Sequence, residues 1–325
     1  MICIMLVLSY YHINIKFNSL FSTLIIYLFV YQMTETSFNY NKLTCDKVLS
    51  GHHGSVNCLI QLTSGLLASA ADDSSIKIWN PTTGELLHTL EEHFSRVTCL
   101  TELPEGILAS GSFDTSIRLW NVSTAKCILQ LNAHDAWVLD LLLLNDKRLC
   151  SCSGDKAIKI WNIYKKTCAM TFKGHKAVIN MIIQAKSNDI ISCSEDKTVK
   201  VWSIVKGECI KSISFTTSVN VLYELNNGQI LIGTNNSIQV LESSNVIEVD
   251  VELSSRLCEI GNEGVIAYGN ENGELIIVDV NDKERKEIVK GIKHDDNINS
   301  ICYNKENNSI FTCSNDSLIC VWKLE

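Results

Sequence analysis

Polar and apolar residues alternate along several short stretches of the chain. The clearest are Ser116–Asn121 (SIRLWN), Ala157–Asn162 (AIKIWN) and Thr198–Ser203 (TVKVWS). Alternation with a period of two residues predicts β-strands that bury one face. No helical spacing is sustained after residue 40, and the chain contains only 2 prolines. The pattern therefore predicts an all-β protein built from short strands.

The alternating stretches recur every 41 residues, each ending in a tryptophan, at Trp79, Trp120, Trp161 and Trp202. The next such tryptophan, Trp322, follows 120 residues later, which leaves room for two more units. Weaker copies of the pattern fill this gap, with Leu241 and Val278 at the tryptophan position. A unit of about 40 residues with short strands cannot bury a core alone, so seven units are expected to pack side by side.

Three more positions are shared by the five units that carry the tryptophan. A histidine stands 17 residues (18 in the last unit) before a serine or threonine, which stands four before an aspartate and ten before the tryptophan. The five tetrads are His52, Ser69, Asp73, Trp79; His93, Ser110, Asp114, Trp120; His134, Ser151, Asp155, Trp161; His175, Ser192, Asp196, Trp202; and His294, Thr312, Asp316, Trp322. With the Gly-His pairs at 51–52 and 174–175, these spacings resemble the WD-repeat β-propeller family.

The resemblance covers residues 42–325 and implies a seven-bladed β-propeller of WD repeats. In that family the tetrad forms a hydrogen-bond chain from indole to hydroxyl to imidazole to carboxylate. Serine, histidine and aspartate also make up a nucleophilic triad, but an active site is needed once, and five copies favour a structural strut. The family usually places Asp after the tryptophan, whereas Asn, Ser or Lys follows it here.

The segment before the first histidine predicts how the ring closes. Residues Leu43–Leu49 resemble the segments that precede later repeats, and Cys45, Cys127 and Cys168 each stand seven residues before a tetrad histidine. The last unit ends three residues after Trp322 and so lacks an outer strand. We expect the N-terminal segment to supply that strand, which leaves no open edge between the first and last blades.

Residues 1–33 form a hydrophobic extension outside the repeat pattern. The apolar run Phe17–Tyr31 suggests a secretory signal or an anchor, but no cleavage-site pattern follows it and it is short for a membrane span. The reading we favour is that residues 1–32 are not native and that translation starts at Met33. This predicts a cytoplasmic, or nuclear, protein, with membrane association only if the extension is translated.

Net charge and cysteine content limit the kinds of partner and ligand that the sequence predicts. The net charge is −8, which argues against a general nucleic-acid partner because phosphate binding needs a basic face. The chain has 14 cysteines and no C-x-x-C pair. Cys152, Cys193 and Cys313 stand at a repeat position that is Ala70 or Gly111 in other units, and Cys58 and Cys99 share another strand position. They are expected to be reduced core thiols, and we expect neither a metal nor a cofactor.

Function is expected to lie in the loops. The resemblance implies a non-catalytic scaffold or adaptor that binds protein or peptide partners. The alternatives are a substrate-recognition subunit of a ubiquitin ligase or another complex, a membrane-tethered or secreted propeller, and a propeller enzyme. No tryptophan is followed by the W-D-x-R sequence of one class of cullin-ligase receptors. Acidic turn residues are scattered over separate blades, which does not favour an enzyme.

In the WD-repeat family that the chain resembles, residues on the rim of the narrow propeller face recur at two positions per repeat. The first rim column is Ser55, Arg96, Trp137, Val178, Ser218, Arg256 and Asn297; the second is Asp72, Phe113, Gly154, Glu195, Thr234, Glu271 and Asn315. Arginine and aromatic side chains dominate interface hot spots. Arg96, Phe113 and Trp137 on blades 2 and 3 are therefore the predicted partner-binding residues. The alternative is that Trp137 packs only over its own blade.

Overall fold

The computed structural model describes residues 43–234, 237–241, 256–261, 264–281 and 287–324, so the hydrophobic extension of residues 1–33 lies outside it. In this part of the chain, strands β1–β27 form seven antiparallel sheets, and the only helix is a 3-10 turn at Pro104–Gly106. No helix among the described residues is both long and apolar enough to cross a membrane. The prediction of an all-β, seven-bladed propeller is confirmed.

Blades 1 to 4 each contain four strands in chain order. Blade 1 is β2 Val56–Gln61, β3 Leu67–Ala71, β4 Ile76–Asn80 and β5 Glu85–Leu90. Blade 2 is β6 Val97–Leu103, β7 Ile107–Ser112, β8 Ser116–Asn121 and β9 Lys126–Asn132. Blade 3 is β10 Val138–Leu143, β11 Leu149–Ser153, β12 Ala157–Asn162 and β13 Thr167–Lys173. Blade 4 is β14 Ile179–Gln184, β15 Ile190–Ser194, β16 Thr198–Ser203 and β17 Glu208–Ser214.

Blades 5 to 7 complete the ring. Within the described residues, blade 5 is β18 Val219–Glu224, β19 Ile230–Thr234 and β20 Ile238–Val240. Blade 6 is β21 Cys258–Glu259, β22 Val265–Gly269, β23 Glu274–Asp279 and β24 Glu287–Ile292. Blade 7 is β25 Ile298–Asn304, β26 Ser309–Ser314 and β27 Leu318–Leu324, with β1 Leu43–Ser50 as its outer strand.

The closing strand pairs as the sequence predicts. Strand β1 runs antiparallel to β27, from Leu43 opposite Leu324 to Ser50 opposite Leu318. Leu49 of β1 is buried in one apolar cluster with Trp79 of blade 1 and Ile319 of β27. Because β1 both completes the blade 7 sheet and packs against blade 1, it closes the ring at this seam.

Apolar side chains pack mainly between neighbouring blades. Ile76 and Ile78 of blade 1 share a cluster with Leu108 and Trp120 of blade 2. Ile117 of blade 2 packs in turn in a cluster that contains Trp161 of blade 3. Each sheet thus buries its faces against its neighbours, which explains why one repeat cannot stand alone.

Side chains of the innermost strands also join neighbouring blades. In four blades, the second residue of the inner strand donates a hydrogen bond to the first carbonyl of the next inner strand. The pairs are Asn57 to Val97, Thr98 to Val138, Asn180 to Val219 and Asn299 to Val56. Blade 3 has Leu139 at this position, and the Cys152 thiol donates to the Ile179 carbonyl instead. These bonds fix the inner strands, and therefore the rim loops, relative to one another.

Candidate protein-interaction site

The structure brings the four side chains of each tetrad together. In blade 2, Trp120 Nε1 lies 2.8 Å from Ser110 Oγ, which lies 2.7 Å from His93 Nε2. His93 Nδ1 is 2.7 Å from an Asp114 carboxylate oxygen. The indole can only donate and the carboxylate can only accept, so the hydroxyl donates to Nε2 and Nδ1–H donates to Asp114. Each polar atom of the chain is then satisfied with a neutral imidazole.

The other four tetrads repeat this geometry. Indole-to-hydroxyl distances are 2.8 Å throughout, hydroxyl-to-Nε2 distances are 2.7–2.8 Å, and Nδ1-to-carboxylate distances are 2.8–2.9 Å. The hydroxyl residues are completely buried and already bonded to an indole. A hydroxyl without access to solvent cannot attack a substrate, so the geometry supports a strut rather than a nucleophilic triad.

Each tetrad carboxylate also holds two loops of the rim face. Asp114 accepts the backbone N–H of Phe94, in the loop before the inner strand, and that of Ser116, after the turn. The same two bonds occur in the other four tetrads. The hydrogen-bond network that begins at the buried tryptophan therefore ends at a carboxylate, which positions the two loops that carry the rim columns.

Hydrogen bonding controls the ionisation of these carboxylates. Burial opposes the charged form of Asp73, but hydrogen bonds from His52, the His53 N–H and Ser75 outweigh it and hold its pKa well below its usual range. The same balance lowers the pKa of Asp196 to about 2. The pKa values of the remaining tetrad carboxylates, Asp114, Asp155 and Asp316, are lowered in the same way. Burial lowers the pKa of His175, against the opposing effect of Asp196.

The two rim columns lie side by side in five blades. The backbone N–H of the second column donates to the carbonyl of the first, at 2.9–3.0 Å. The bonded pairs are Asp72 with Ser55, Phe113 with Arg96, Gly154 with Trp137, Glu195 with Val178, and Asn315 with Asn297. Side chains of the two columns also meet across blade boundaries at three places, Ser55 with Asn315, Arg96 with Asp72, and Trp137 with Phe113.

Arg96, Phe113 and Trp137 form one continuous stack with Asp72. The Arg96 guanidinium carbon lies 4.8 Å from the Phe113 ring centroid, and an Arg96 nitrogen lies 3.7 Å from an Asp72 oxygen. The rings of Phe113 and Trp137 are parallel within 5°, with centroids 4.6 Å apart. Trp137 remains 47% exposed. The stack joins three blades, so Trp137 does not pack over its own blade alone.

Phe94 lies in the same loop as Arg96, between β5 and β6, and was not among the predicted residues. It follows the tetrad histidine of blade 2, is 85% exposed, and lies with its ring centroid 5.8 Å from the guanidinium carbon of Arg118. The buried Arg118 side chain is also held by Glu92 at 2.8 Å. An aromatic residue directly after that histidine, where other repeats carry His, Asp or Lys, is the sequence signal that would have identified it.

Arg256 departs from the rim position that its column implies. Its Nη2 lies 2.6 Å from Oδ1 of Asp140 on the inner strand of blade 3, and the Asp140 side chain is only 2% exposed. The second Asp140 oxygen accepts the Ile182 backbone N–H of blade 4. The Arg256 side chain therefore forms an ion pair between blades 6 and 3.

The described cysteines range from buried to exposed. Many are buried on strands, and burial raises the thiol pKa of residues such as Cys58, Cys152 and Cys313. Cys168 and Cys209 on outer strands are exposed, so the expectation of core thiols is wrong for these two. No cysteine among the described residues is in a disulfide, and no group of His, Cys, Asp or Glu in that part of the chain is placed to hold a metal.

Comparison with known proteins agrees with this architecture. The family model described as WD domain, G-beta repeat, matches residues 43–80, 84–121, 125–162, 166–203 and 286–323. A "Probable cytosolic Fe-S cluster assembly factor" from Schizosaccharomyces japonicus is 37% identical over 60 residues, which are 18% of this chain and 10% of that protein. A "WD repeat domain-containing protein 83 homolog" from Dictyostelium discoideum is 40% identical over 52 residues, 16% of each chain.

These two relatives are matched over less than a fifth of their length, so they carry no assignment of a specific role. The five repeat matches cover more than half of the chain and coincide with the five tetrads. With seven antiparallel blades in a ring, the matched repeats show that this chain belongs to the WD40 repeat family.

Proposed function

We propose that this protein is a non-catalytic scaffold that binds a protein or peptide partner on the rim sector of blades 2 and 3. The observation that carries the proposal is the stack of Arg96, Phe113 and Trp137, with the exposed Phe94 in the same loop as Arg96. Aromatic and arginine side chains are enriched among the residues that dominate interface hot spots. Single exposed aromatic residues are common on protein surfaces, whereas here two exposed aromatic residues, Phe94 and Trp137, accompany Arg96 and the half-buried Phe113 on blades 2 and 3.

The scaffold role agrees with the chemistry of the rest of the molecule. The tetrads, which contain the nucleophile-like groups, are buried and fully hydrogen-bonded, and they hold the loops rather than react. The net charge of −8 favours a basic segment as the partner and disfavours nucleic acid. Free thiols are typical of a reducing compartment, which supports a cytoplasmic location.

The test is a triple variant, Arg96→Ala, Phe113→Ala and Trp137→Ala, used as bait in affinity purification from the source cells. We expect an unchanged melting temperature and the loss of most partners that the unchanged chain captures. Each removed hot spot is expected to weaken binding by about 2 kcal/mol or more, roughly 30-fold.

The matched control removes exposed apolar side chains from the opposite face. Tyr164 and Val205, which are 82% and 97% exposed, lie in the connections β12–β13 and β16–β17. The double variant Tyr164→Ala and Val205→Ala should keep the partners. If the triple variant keeps every partner, or if the control loses them equally, the rim sector of blades 2 and 3 is not the binding surface.

A further inference from the structure

Seven apolar clusters mark the seven boundaries between blades, and the buried members of each cluster come from two blades. Blade 3 shares clusters with blades 2 and 4, and blade 6 shares them with blades 5 and 7. Blades 3 and 6 are therefore separated by two blades on one side of the ring and by three on the other. A direct contact between them crosses the central opening that the inner strands surround.

Arg256 of blade 6 makes such a contact. Its Nη2 atom lies 2.6 Å from Oδ1 of Asp140, on the inner strand β10 of blade 3. The Asp140 side chain is only 2% exposed, and its carboxylate also accepts the backbone N–H of Leu141 and that of Ile182 in blade 4. A carboxylate that is buried in this way is costly unless a cation and several donors surround it, and Arg256 supplies the cation.

The positive charge of Arg256 also acts on thiols of three other blades. Burial raises the thiol pKa values of Cys58 in blade 1, Cys99 in blade 2 and Cys193 in blade 4, and the charge of Arg256 opposes that rise at all three. An arginine of blade 6 that acts on groups in blades 1, 2, 3 and 4 has its guanidinium near the centre of the ring. This agrees with the position that the ion pair requires.

Among the described residues, the inner strand of blade 6 is the shortest of the seven. Strand β21 has two residues, Cys258 and Glu259, whereas the other inner strands have six or seven. Its C-terminal end is attached to blade 5, because the Tyr223 hydroxyl accepts the Glu259 N–H and the Glu259 carboxylate accepts the Asn226 N–H. Arg256 stands two residues before the strand, so its side chain holds the N-terminal end.

We propose that the ion pair of Arg256 with Asp140 is a brace across the central opening that keeps blade 6 from opening locally. We call this ion pair the central brace. Blade 6 has Asn272 and Val278 where the tetrads have aspartate and tryptophan, so it lacks the network that holds the loops of the tetrad blades. When the central brace is released, blade 6 opens while the tetrad blades stay folded. This inference goes beyond the proposed function and does not depend on it.

The neighbouring blade shows which side chain can replace Asp140. Met181 occupies the same register position in blade 4, opposite Cys193 as Asp140 is opposite Cys152. The Met181 sulfur accepts a backbone N–H of blade 5 at 3.3 Å, just as Asp140 accepts one of blade 4 at 3.1 Å. Asp140→Met therefore removes the charge and keeps an acceptor for that N–H group.

The first test is thermal unfolding of Arg256→Met, Asp140→Met and the double variant of the full chain. Arg256→Met leaves a buried carboxylate without its cation, so we expect its melting temperature to fall by about 5 °C or more. The double variant should regain at least about half of that loss, because the unpaired charge is then gone. Additive losses, or a fall of less than about 1 °C for Arg256→Met, would overturn the proposal.

The second test locates the effect by hydrogen exchange and mass spectrometry. In Arg256→Met, amides of β22 and β23 in blade 6 should exchange at least about tenfold faster than in the unchanged chain, and those of β7 and β8 in blade 2 less than about threefold faster. An equal rise in both blades, or none in blade 6, would contradict the central brace. If Arg256→Met does not fold, Arg256→Lys, which keeps the charge without the guanidinium, replaces it with the same direction expected in both tests.

Arg148→Met is the matched control. Arg148 has nearly the same side-chain exposure as Arg256, 30% against 31%, and also lies 2.6 Å from an aspartate oxygen. Its partner Asp146 is 47% exposed and belongs to the same turn of blade 3, so the pair crosses no blade boundary. Exposed pairs contribute little to stability. We expect a change in melting temperature of less than about 1 °C and unchanged exchange in blade 6, and a loss equal to that of Arg256→Met would remove the case for a brace.

Discussion

Blades 1 to 4 and 7 differ from blades 5 and 6 in how their side chains hold the same sheet. The first group carries a tetrad and matches the family model, whereas residues 204–285, which contain most of blades 5 and 6, lie outside the matched ranges. In blade 1, Trp79 lies opposite Leu67 in the strand register; in blade 6, Val278 lies opposite Ile266. The backbone register is thus retained after the polar network has been replaced by apolar residues.

The hydroxyl position shows the same replacement. Tyr268 of blade 6 and Ile232 of blade 5 occupy the register position of Ser69, and both are buried. Strand alternation and packing against neighbouring blades are therefore sufficient for the sheet. What the tetrad adds is control of the rim loops, because its carboxylate accepts N–H groups from both of them.

The two kinds of blade also differ in the residue that follows the aspartate position in the turn. In the five tetrad blades the residue that follows the aspartate is not glycine, yet it has a φ angle of 62–71°; these residues are Ser74, Thr115, Lys156, Lys197 and Ser317. Blade 6 has Gly273 there, with a φ of 73°. A non-glycine residue in this conformation costs roughly 1–2 kcal/mol. The tetrad blades offset that cost with hydrogen bonds to the carboxylate, whereas blade 6 avoids it.

The largest effect is expected from removing a tetrad tryptophan. Trp120→Ala should lower the free energy of unfolding by about 3–5 kcal/mol, because it leaves a cavity and removes the indole N–H that the Ser110 hydroxyl oxygen accepts. Val278→Ala in blade 6 removes two methyl groups and should cost about 2 kcal/mol or less. Urea unfolding midpoints of the two variants measure the difference.

Trp120→Phe separates the cavity from the hydrogen bond, since it keeps most of the ring volume and removes the indole N–H. We expect its stability to fall between those of the unchanged chain and Trp120→Ala. If Trp120→Ala is no more destabilising than Val278→Ala, the tetrad is not a strut and the contrast between the two kinds of blade does not hold.

At the turn that follows the aspartate position, the residue most sensitive to substitution is expected in blade 6 and not in a tetrad blade. Gly273→Ala should destabilise the protein by at least about 2 kcal/mol, because the new Cβ would overlap the His294 backbone carbonyl in addition to straining the turn. Thr115→Ala at the equivalent turn of blade 2 should change stability by less than about 1 kcal/mol. Thermal unfolding of both variants provides the test, and equal losses would contradict it.

The repeat pattern is why so much of the fold could be predicted from sequence. A period of 41 residues with five copies of one spacing identifies the blades, and the copied cysteine position identifies β1 as the closing strand. Leu241 and Val278 could be placed because alternation persists where the tetrad is lost. Local periodicity was enough for these assignments, since each depends on residues within one repeat.

The side chains that depend on distant residues could not be placed in this way. Arg256 was assigned to the rim by its position in a repeat, but its direction is set by Asp140, 116 residues away in sequence. The exposure of Cys168 depends on which strand lies at the outer edge of a blade. The stack of Phe113 on Trp137 was predictable only as a shared sector, because ring orientation follows from the contact between two blades.

The smallest effect concerns the acid sensitivity that tetrad carboxylates give to the regular blades. Asp196 has a folded-state pKa of about 2, below the usual value of about 3.9 for an unfolded aspartate. Its stabilising contribution is therefore complete above about pH 4 and is lost as the pH falls through about 2, because the unfolded chain takes up the proton first. Blade 6 has Asn272 at this position.

The variant Asp196→Asn should thus melt at a lower temperature than the unchanged chain at pH 7, and this gap should narrow between pH 4 and pH 2. A gap for Asp196→Asn that is the same at pH 7 and pH 2 would show that the carboxylate does not hold the rim loops in its ionised form.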